Sequence, residues 1–255
     1  MASKISAQLY TVRDACQNAG DFADAVKRVA DIGYESAQLS GHGKDITTEQ
    51  LREACDAAGL DIIATHVPFD MMRDDLEGTV QMHEILGCKY AGIGGAPKEA
   101  QESGGTWSDF AKEASEVAKA MAEHGLVFVY HNHSHELEKF DGRTAMQIMM
   151  EDGDPEYFKF EPDVYWLQAG GASPVAWLRM MGERAPIIHF KDMTMRGREQ
   201  VFAEIGEGNL DWKGIIEACE EIGAEYYIVE QDRCERDPFE SLKISFDNMK
   251  AMGIE

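Results

Sequence analysis

The sequence contains few cysteines and no closely spaced cysteine pair. Its five cysteines, Cys16, Cys55, Cys88, Cys219 and Cys234, are odd in number, widely scattered and never arranged as C-x-x-C. This spacing argues against a disulfide framework and against a thiolate zinc site. Cys55 and Cys219 fall on the apolar stripes of predicted helices, so we expect both to pack in the core.

Cationic side chains are also scarce. The chain has 24 lysines and arginines against 47 aspartates and glutamates, which gives a formal net charge of −23. Because phosphates would be repelled, this charge makes nucleic acids and anionic membrane surfaces poor partners and favours small molecules. The apolar residues are too interrupted for a membrane span, and residues 1–6 lack the apolar segment of a secretory signal. We therefore predict a cytoplasmic protein.

A repeating unit runs through the chain. Each copy is a helical stretch that ends in glycine, followed after one or two residues by a short apolar run rich in β-forming residues. Five clear copies end their helices at Gly33, Gly59, Gly87, Gly125 and Gly223. Two weaker copies, DGDPEYFKFEPDVYW and GERAPIIHFKDM, follow Gly125, and KISAQLYTV precedes the first helix. The repeat therefore predicts eight strands.

Amphipathic helical stretches separate these strands, and no Pro-rich, Ser-rich or low-complexity segment divides the chain. The predicted helices are 21–32, 47–58, 70–86, 106–124, 143–152, 173–183, 212–222 and 238–252, with N-caps at Asp21, Thr47, Asp70, Ser173 and Asp211. Eight strand–helix units in 255 residues predict a single-domain α/β fold over 1–255, the (β/α)8 TIM barrel. A doubly wound open sheet is the alternative, but it would usually carry a glycine-rich turn after its first strand, and residues 7–14 contain no glycine.

Polar side chains gather at the predicted ends of the last four strands. These ends read His131-Asn-His-Ser-His-Glu136, Glu161-Pro-Asp163, His189-Phe-Lys-Asp192 and Glu230-Gln-Asp232. A barrel builds its active site from such strand ends, so residues about 30 positions apart would meet in one cluster. Carboxylates and imidazoles without thiolates suit Mn²⁺, Mg²⁺, Co²⁺ or Zn²⁺. In contrast, His83 and His124 lie in helical stretches, where we expect them to face solvent.

The motifs at the strand ends resemble a known family. They are Gln8-Leu-Tyr-Thr-Val-Arg-Asp14, Tyr130-His-Asn-His133 with Glu136, Asp163-Val-Tyr-Trp166, His189-Phe-Lys-Asp192, Gly206-Glu-Gly-Asn-Leu-Asp-Trp212 and Val229-Glu-Gln231. Over nearly the whole chain they resemble the xylose-isomerase-like TIM barrels, a family of sugar phosphate isomerases and epimerases. The resemblance implies one divalent ion, often Mn²⁺, held by Glu, Asp, His and Glu side chains from strands five to eight.

Three of the implied ligands correspond directly to Asp163, His189 and Glu230. On strand five, the family's usual glutamate would fall at His131, whereas Glu136 lies five residues later. Either His131 is itself a ligand, or Glu136 folds back to coordinate and His131 becomes a base or substrate contact. We favour Glu136 because a third carboxylate better neutralises a divalent cation. The predicted metal set is therefore Glu136, Asp163, His189 and Glu230.

The resemblance also implies a reaction. The enzyme would abstract a proton next to a carbonyl in a sugar, with the ion stabilising the enediolate that forms. Glu230, Glu136 or His131 would transfer the proton. Lys191 would hold a substrate oxygen or form an ion pair with a neighbouring carboxylate.

The substrate is less well defined than the reaction. The predicted substrate contacts are His66, His133, Trp166, Tyr10 and Arg196. Ketose 3-epimerases of this family place a substrate-binding histidine and an arginine at positions that hold Trp166 and Met195 here, and Arg196 is one residue away. We therefore expect a sugar or sugar derivative other than a free ketohexose. Arg196 and Arg198 would serve a phosphate group or face solvent.

Three other functions compete with the isomerase. A dehydratase or lyase of keto-sugars or keto-glycosides would use the same proton abstraction and then expel a leaving group. The family likeness also touches apurinic endonucleases, but these need further ligands and a basic groove, which the charge of −23 opposes. A non-catalytic sugar-binding barrel would not need the full set of ligand types. The sequence leaves a homodimer open.

Overall fold

A computed structural model describes residues 3–254 of the protein. Within these residues there are twelve strands: β1 (Ile5–Gln8), β2 (Ser36–Leu39), β3 (Asp61–His66), β4 (Tyr90–Ile93), β5 (Val127–His131), β6 (Lys139–Phe140), β7 (Arg143–Thr144), β8 (Lys159–Glu161), β9 (Ile187–Phe190), β10 (Asp192–Arg196), β11 (Glu199–Ala203) and β12 (Tyr226–Val229). Eight of them form one parallel sheet in the order β8-β5-β4-β3-β2-β1-β12-β9. A parallel bridge between Asp163 and His189 joins the two outer strands. The predicted eight-stranded TIM barrel is confirmed.

Ten α-helices surround the barrel in the described part of the chain: α1 (Ala19–Ile32), α2 (Thr48–Ala58), α3 (Phe69–Asp74), α4 (Leu76–Leu86), α5 (Gly104–Ala122), α6 (Ala145–Asp152), α7 (Val164–Ala169), α8 (Pro174–Met181), α9 (Trp212–Glu221) and α10 (Pro238–Ala251). Seven predicted helices are confirmed to within a few residues. The eighth, 70–86, is two helices, because Asp75 leaves the helical conformation and its side chain caps Gly78 of α4. The short α7 was not predicted, because its sequence continues the apolar pattern of the preceding strand.

The helix ends test the capping predictions. Thr47, Ser173 and Asp211 cap their helices as predicted. Asp21 and Asp70 are wrong as N-caps, because Asn18 accepts from the Asp21 backbone N–H and α3 begins after Pro68 without a side-chain cap. The apolar stripe alone does not distinguish a capping residue from a polar residue in the first turn.

Two apolar cores hold the architecture together. The smaller core fills the barrel below its carboxyl end with Ile63, Tyr90, Val129, Ile187 and Ile228, among others. The larger core lies between the strands and the surrounding helices and includes the buried Cys55 and Cys219, as predicted. None of the helices in residues 3–254 has the length and apolarity that crossing a membrane requires.

His83 of α4 does not face solvent, so that expectation is wrong. Its side chain is fully buried against β3. The Nδ1–H donates to the Thr79 carbonyl at 2.7 Å, so Nε2 accepts from the Thr65 hydroxyl at 2.9 Å. A polar partner on the neighbouring strand thus compensates the burial of the ring.

The buried His83 should make stability depend on pH. Burial lowers the pKa of His83, although the Thr79 carbonyl partly opposes this shift. The folded protein therefore holds a neutral ring where the unfolded chain takes up a proton near the ordinary pKa of 6.5. We expect the free energy of unfolding to fall as the pH drops below about 6.5, by up to about 1.4 kcal/mol per pH unit from this group.

Urea unfolding at a series of pH values measures this dependence. The variant His83→Gln should lose that part of the slope, whereas His124→Gln, at an exposed position, should keep it. Equal slopes for the wild type and His83→Gln would contradict the prediction.

Candidate metal centre

Four buried side chains converge at the carboxyl end of the barrel. His131 ends β5, Asp163 follows β8, His189 lies in β9 and Glu230 follows β12. One ligand atom from each lies within 4.8 Å of the others. Asp163 Oδ2 is 3.2 Å from His131 Nε2 and 3.8 Å from His189 Nδ1, which is 2.9 Å from Glu230 Oε2. We call these four residues the metal cluster.

Strand alternation explains why these side chains point inward. Val129 and Ile187 belong to the barrel's inner core, and His131 and His189 follow them at a spacing of two on the same face. Asp163 is held by its own backbone and by α7. Its N–H donates to Asn132 Oδ1 at 3.0 Å, and its Oδ1 accepts from the Trp166 N–H at 2.9 Å. Oδ2 is accordingly the Asp163 oxygen that faces the other members of the metal cluster.

The metal cluster contains two nitrogen atoms that lack a hydrogen bond. His131 Nδ1 and His189 Nδ1 are both buried, and neither has a hydrogen-bond partner among residues 3–254. His189 Nδ1 lies close to Glu230 Oε2 but is not aligned with it as a donor. Buried polar atoms of this kind normally have a partner, and a cation held by Asp163 and Glu230 would supply one for His189 Nδ1. The two imidazoles and two carboxylates fit a divalent ion without selecting among Mn²⁺, Mg²⁺, Co²⁺ and Zn²⁺.

Neighbouring charges set the protonation of the metal cluster. Burial raises the pKa of the Glu230 carboxyl, but Lys191 and His189 outweigh it and hold that pKa well below its usual range. Burial also lowers the pKa of His131 well below 6.5, and nearby cationic groups add to the effect. An ionised carboxylate and a neutral imidazole are the forms that bind metal.

A glutamine orients His189. Although burial alone would lower the pKa of His189, Glu161 and Glu230 raise it to about 10 when no cation is present. Its Nε2 lies 2.7 Å from Gln38 Oε1, which also accepts from Gln8 Nε2 at 2.7 Å. Because Gln38 Oε1 can only accept, the neutral ring would carry its proton on Nε2 and turn the Nδ1 lone pair toward Glu230. This is the support from outside the ligand set that metal-binding histidines usually have.

Lys191 reaches into the metal cluster from β9's end. Its ammonium is buried and lies 3.0 Å from Asp163 Oδ2, 2.9 Å from Glu230 Oε2 and 2.9 Å from Asp232 Oδ2. Burial disfavours the charge, but these three carboxylates raise the pKa of Lys191. The lysine is therefore a cation at this position.

Glu136 lies elsewhere. It lies in the short 3-10 turn His135–Leu137 after β5, and its carboxylate accepts from the Tyr130 hydroxyl at 2.8 Å and from the His133 N–H at 2.9 Å. Burial raises the pKa of Glu136. Of the two strand-five residues considered from sequence, the structure brings His131 into the metal cluster and turns Glu136 toward Tyr130.

Three of the five predicted substrate contacts lie beside the metal cluster. The His66 ring is 5.3 Å from the His131 ring, and its Nε2 is 2.5 Å from Glu161 Oε2. His133 lies 5.0 Å from the His131 ring and 5.3 Å from the Trp166 ring. Burial lowers the pKa of His133 to about 4, which keeps this ring neutral. Trp166 Nε1 is a buried donor with no acceptor within residues 3–254.

The other two predicted contacts are placed differently. The Tyr10 ring packs against Gly41 and carries the Arg13 guanidinium 4.2 Å from its centroid. Arg196 lies on the β10–β11 hairpin, where it is mostly exposed and pairs with Glu235. The structure therefore brings neither side chain into contact with the metal cluster.

Glu161 is a site residue that the sequence patterns did not predict. This carboxylate is fully buried and accepts from Gln38 Nε2 at 2.9 Å, besides its contacts with His66 and His189. Burial would raise the pKa of Glu161, but His189 and His66 hold it well below its usual range. The signal was present in the sequence, because Glu161 precedes Asp163 by two residues and so falls on the same face of an extended strand.

The loop after β9 is organised by a carboxylate that is not in the metal cluster. Asp192 accepts from the backbone N–H groups of Gly206 at 2.9 Å and Gly208 at 3.1 Å and from Trp212 Nε1 at 2.6 Å. It also starts the β10–β11 hairpin, an insertion that the strand–helix repeat did not predict. Asp192 thus positions the loop between β11 and α9.

The chain matches a known protein family over most of its length. The sequence profile described as xylose isomerase-like TIM barrel matches residues 26–252. An inosose dehydratase from Lacticaseibacillus casei is 26% identical over 152 residues, a match that covers 52% of this chain and 50% of the dehydratase. The chain therefore spans about half the length of the curated relatives it matches.

Solved structures share the fold. A sugar phosphate isomerase/epimerase from Parabacteroides distasonis superposes with a TM-score of 0.85 at 21% identity, covering 100% of this chain and 96% of that one. A probable 3-DHS dehydratase from Bacillus anthracis gives a TM-score of 0.74 at 14% identity, covering 97% and 98%. Together with the profile match, the barrel and its cluster of ligands place the chain in the xylose-isomerase-like TIM barrel family.

Proposed function

We propose that this protein is a divalent-metal-dependent sugar isomerase or epimerase that removes a proton from the carbon next to a carbonyl. The observation that carries the proposal is the metal cluster itself, two imidazoles and two carboxylates buried together at the carboxyl end of a barrel. This end is where barrels of this architecture build their active sites. The partner is accordingly a sugar or sugar derivative.

The metal cluster would hold one ion through His131, Asp163, His189 and Glu230. When bound, a divalent ion would supply Lewis-acid stabilisation of negative charge on substrate oxygens. We assign Mn²⁺ first because the family resemblance implies it, with Mg²⁺, Co²⁺ and Zn²⁺ as the alternatives that share these donor preferences.

Side chains in and beside the metal cluster would move the proton and hold the substrate. Glu230 is ionised and would accept the α-proton. His66, oriented by Glu161 at 2.5 Å, would contact a substrate hydroxyl and return a proton. The Lys191 ammonium would stabilise negative charge that develops on a substrate oxygen. Trp166 would offer a ring face to the sugar.

Exchange of the α-proton with solvent tests this function before the product is known. Mn²⁺-loaded protein would be incubated in D₂O with aldoses, ketoses, inososes and 3-keto-glycosides. We expect deuterium to enter one class of substrate, detected by mass spectrometry, and the incorporation to stop after chelation. Loaded protein that exchanges no proton in any of these classes would contradict the proposal.

A dehydratase is the second candidate, and the partial match to an inosose dehydratase favours it. Both reactions begin with the same proton abstraction, so the exchange experiment supports either. The product distinguishes them, because a dehydratase releases water whereas an isomerase or epimerase yields a product of unchanged mass.

A further inference from the structure

The Lys191 ammonium lies against the carboxylate oxygen atoms of the metal cluster. The side chain is 1% exposed, and Nζ is within 3.0 Å of carboxylate oxygens from Asp163, Glu230 and Asp232. Two of these three carboxylates belong to the metal cluster. An ammonium with three carboxylate neighbours and almost no contact with water is held much as a metal cation would be held.

The ammonium uses the same oxygen atoms that a metal would need. Asp163 Oδ1 is occupied by the Trp166 N–H, so Oδ2 is the oxygen that faces both His131 Nε2 and Lys191 Nζ. Glu230 Oε2 likewise lies 2.9 Å from both His189 Nδ1 and Lys191 Nζ. A divalent ion would sit about 2.0–2.2 Å from these oxygens. It would therefore lie within about 5 Å of the ammonium, where like charges repel strongly in a buried site.

Asp232 offers Lys191 a position outside the metal cluster. Its Oδ2 is 2.9 Å from Nζ, and its side chain is 23% exposed whereas Asp163 is fully buried. A lysine side chain has four rotatable bonds, so Nζ can keep this contact while it leaves the other two carboxylates.

We propose that Lys191 is an internal counter-cation, which neutralises Asp163 and Glu230 in the metal-free protein and retreats toward Asp232 when a divalent ion binds. This inference rests on the proposed metal site. Its consequence is that each binding event has to displace an ammonium, so Lys191 weakens the affinity for metal and keeps the ion exchangeable. The same lysine would keep the buried carboxylates compensated, and the protein folded, without metal.

Calorimetric titration with Mn²⁺ tests the proposal on three proteins: the wild type, Lys191→Met and Lys159→Met. The control removes the same charge from β8, where Lys159 Nζ donates to the Pro155 carbonyl instead of a cluster carboxylate. We expect Lys191→Met to bind Mn²⁺ at least about tenfold more tightly than the wild type, with Lys159→Met within about twofold of it. Unchanged or weaker binding by a folded Lys191→Met would overturn the role of Lys191 and leave the metal site standing. No binding by any of the three would overturn both.

A second measurement needs no substitution, in case Lys191→Met does not fold. A crystal structure of the wild type grown with Mn²⁺ should show Nζ within hydrogen-bond distance of Asp232 and beyond about 3.5 Å from Asp163 Oδ2 and Glu230 Oε2. An occupied site with Nζ still bonded to both of those oxygens would refute the displacement.

Discussion

Replacing Glu230 with glutamine is expected to lower turnover by at least about 10³-fold while the protein stays folded. The carboxylate is ionised because Lys191 and His189 hold its pKa well below the usual range, and it would accept the substrate proton. Glutamine has nearly the same shape but cannot take up that proton. Loss of a general base typically costs about 10²–10⁴-fold, and loss of a ligand charge would add to it.

The comparison has to separate proton transfer from metal loss. Metal content and the α-proton exchange rate would be measured together for Glu230→Gln. Glu225→Gln is the matched control, because Glu225 immediately precedes the same strand and its carboxylate pairs with Lys89. A Glu230→Gln protein that exchanges the substrate proton at the wild-type rate would remove Glu230 from this role.

Replacing His131 with alanine is expected to abolish stabilisation by metal, whereas Glu136→Gln should retain it. An ion present at about 100 times its dissociation constant stabilises a protein by about 2.7 kcal/mol. For a chain of this size, that free energy corresponds to a rise in melting temperature of roughly 5–10 °C. His131 faces Asp163 Oδ2 at 3.2 Å, whereas Glu136 bonds to Tyr130 and the His133 backbone.

The measurement is the difference in melting temperature with and without Mn²⁺ for each variant. Both substitutions will lower the baseline, since both side chains are buried, so the metal-dependent shift is compared and not the melting temperature itself. The opposite result, a shift lost in Glu136→Gln and kept in His131→Ala, would assign the strand-five ligand to Glu136.

The barrel was predictable because its signal is local and repeated. Five units place a glycine between the helix and the next strand, and these glycines, Gly33, Gly59, Gly87, Gly125 and Gly223, all have a positive φ in the structure. Eight strand–helix units in a chain of this length are typical of a parallel barrel, and the missing glycine-rich turn after the first strand favoured the barrel over an open sheet. Local patterns did not predict that the helix expected over 70–86 divides into two helices at Asp75, or that the β10–β11 hairpin is inserted after β9.

The site was predictable in part for the same reason. Asp163, His189 and Glu230 lie at strand ends, so the barrel alone brings them together. The ligand from strand five could not be predicted in this way. His131 and Glu136 are both near the end of that strand, and their spacing does not show which side chain turns inward. That choice depends on Tyr130, whose hydroxyl draws the Glu136 carboxylate away from the barrel axis.

The amino-acid sequence by itself determined the barrel and the strand ends that carry the polar residues, because these follow from periodicity along the chain, and the motifs at those strand ends carried the resemblance to the family. Only the tertiary structure decided which atoms face one another: His131 in the metal cluster, Glu161 beneath His66, His83 against Thr65 and Lys191 between three carboxylates. The physical reason is that hydrogen bonds and charge pairs between distant segments depend on side-chain direction to within about an ångström, and no pattern along one strand or helix contains that information.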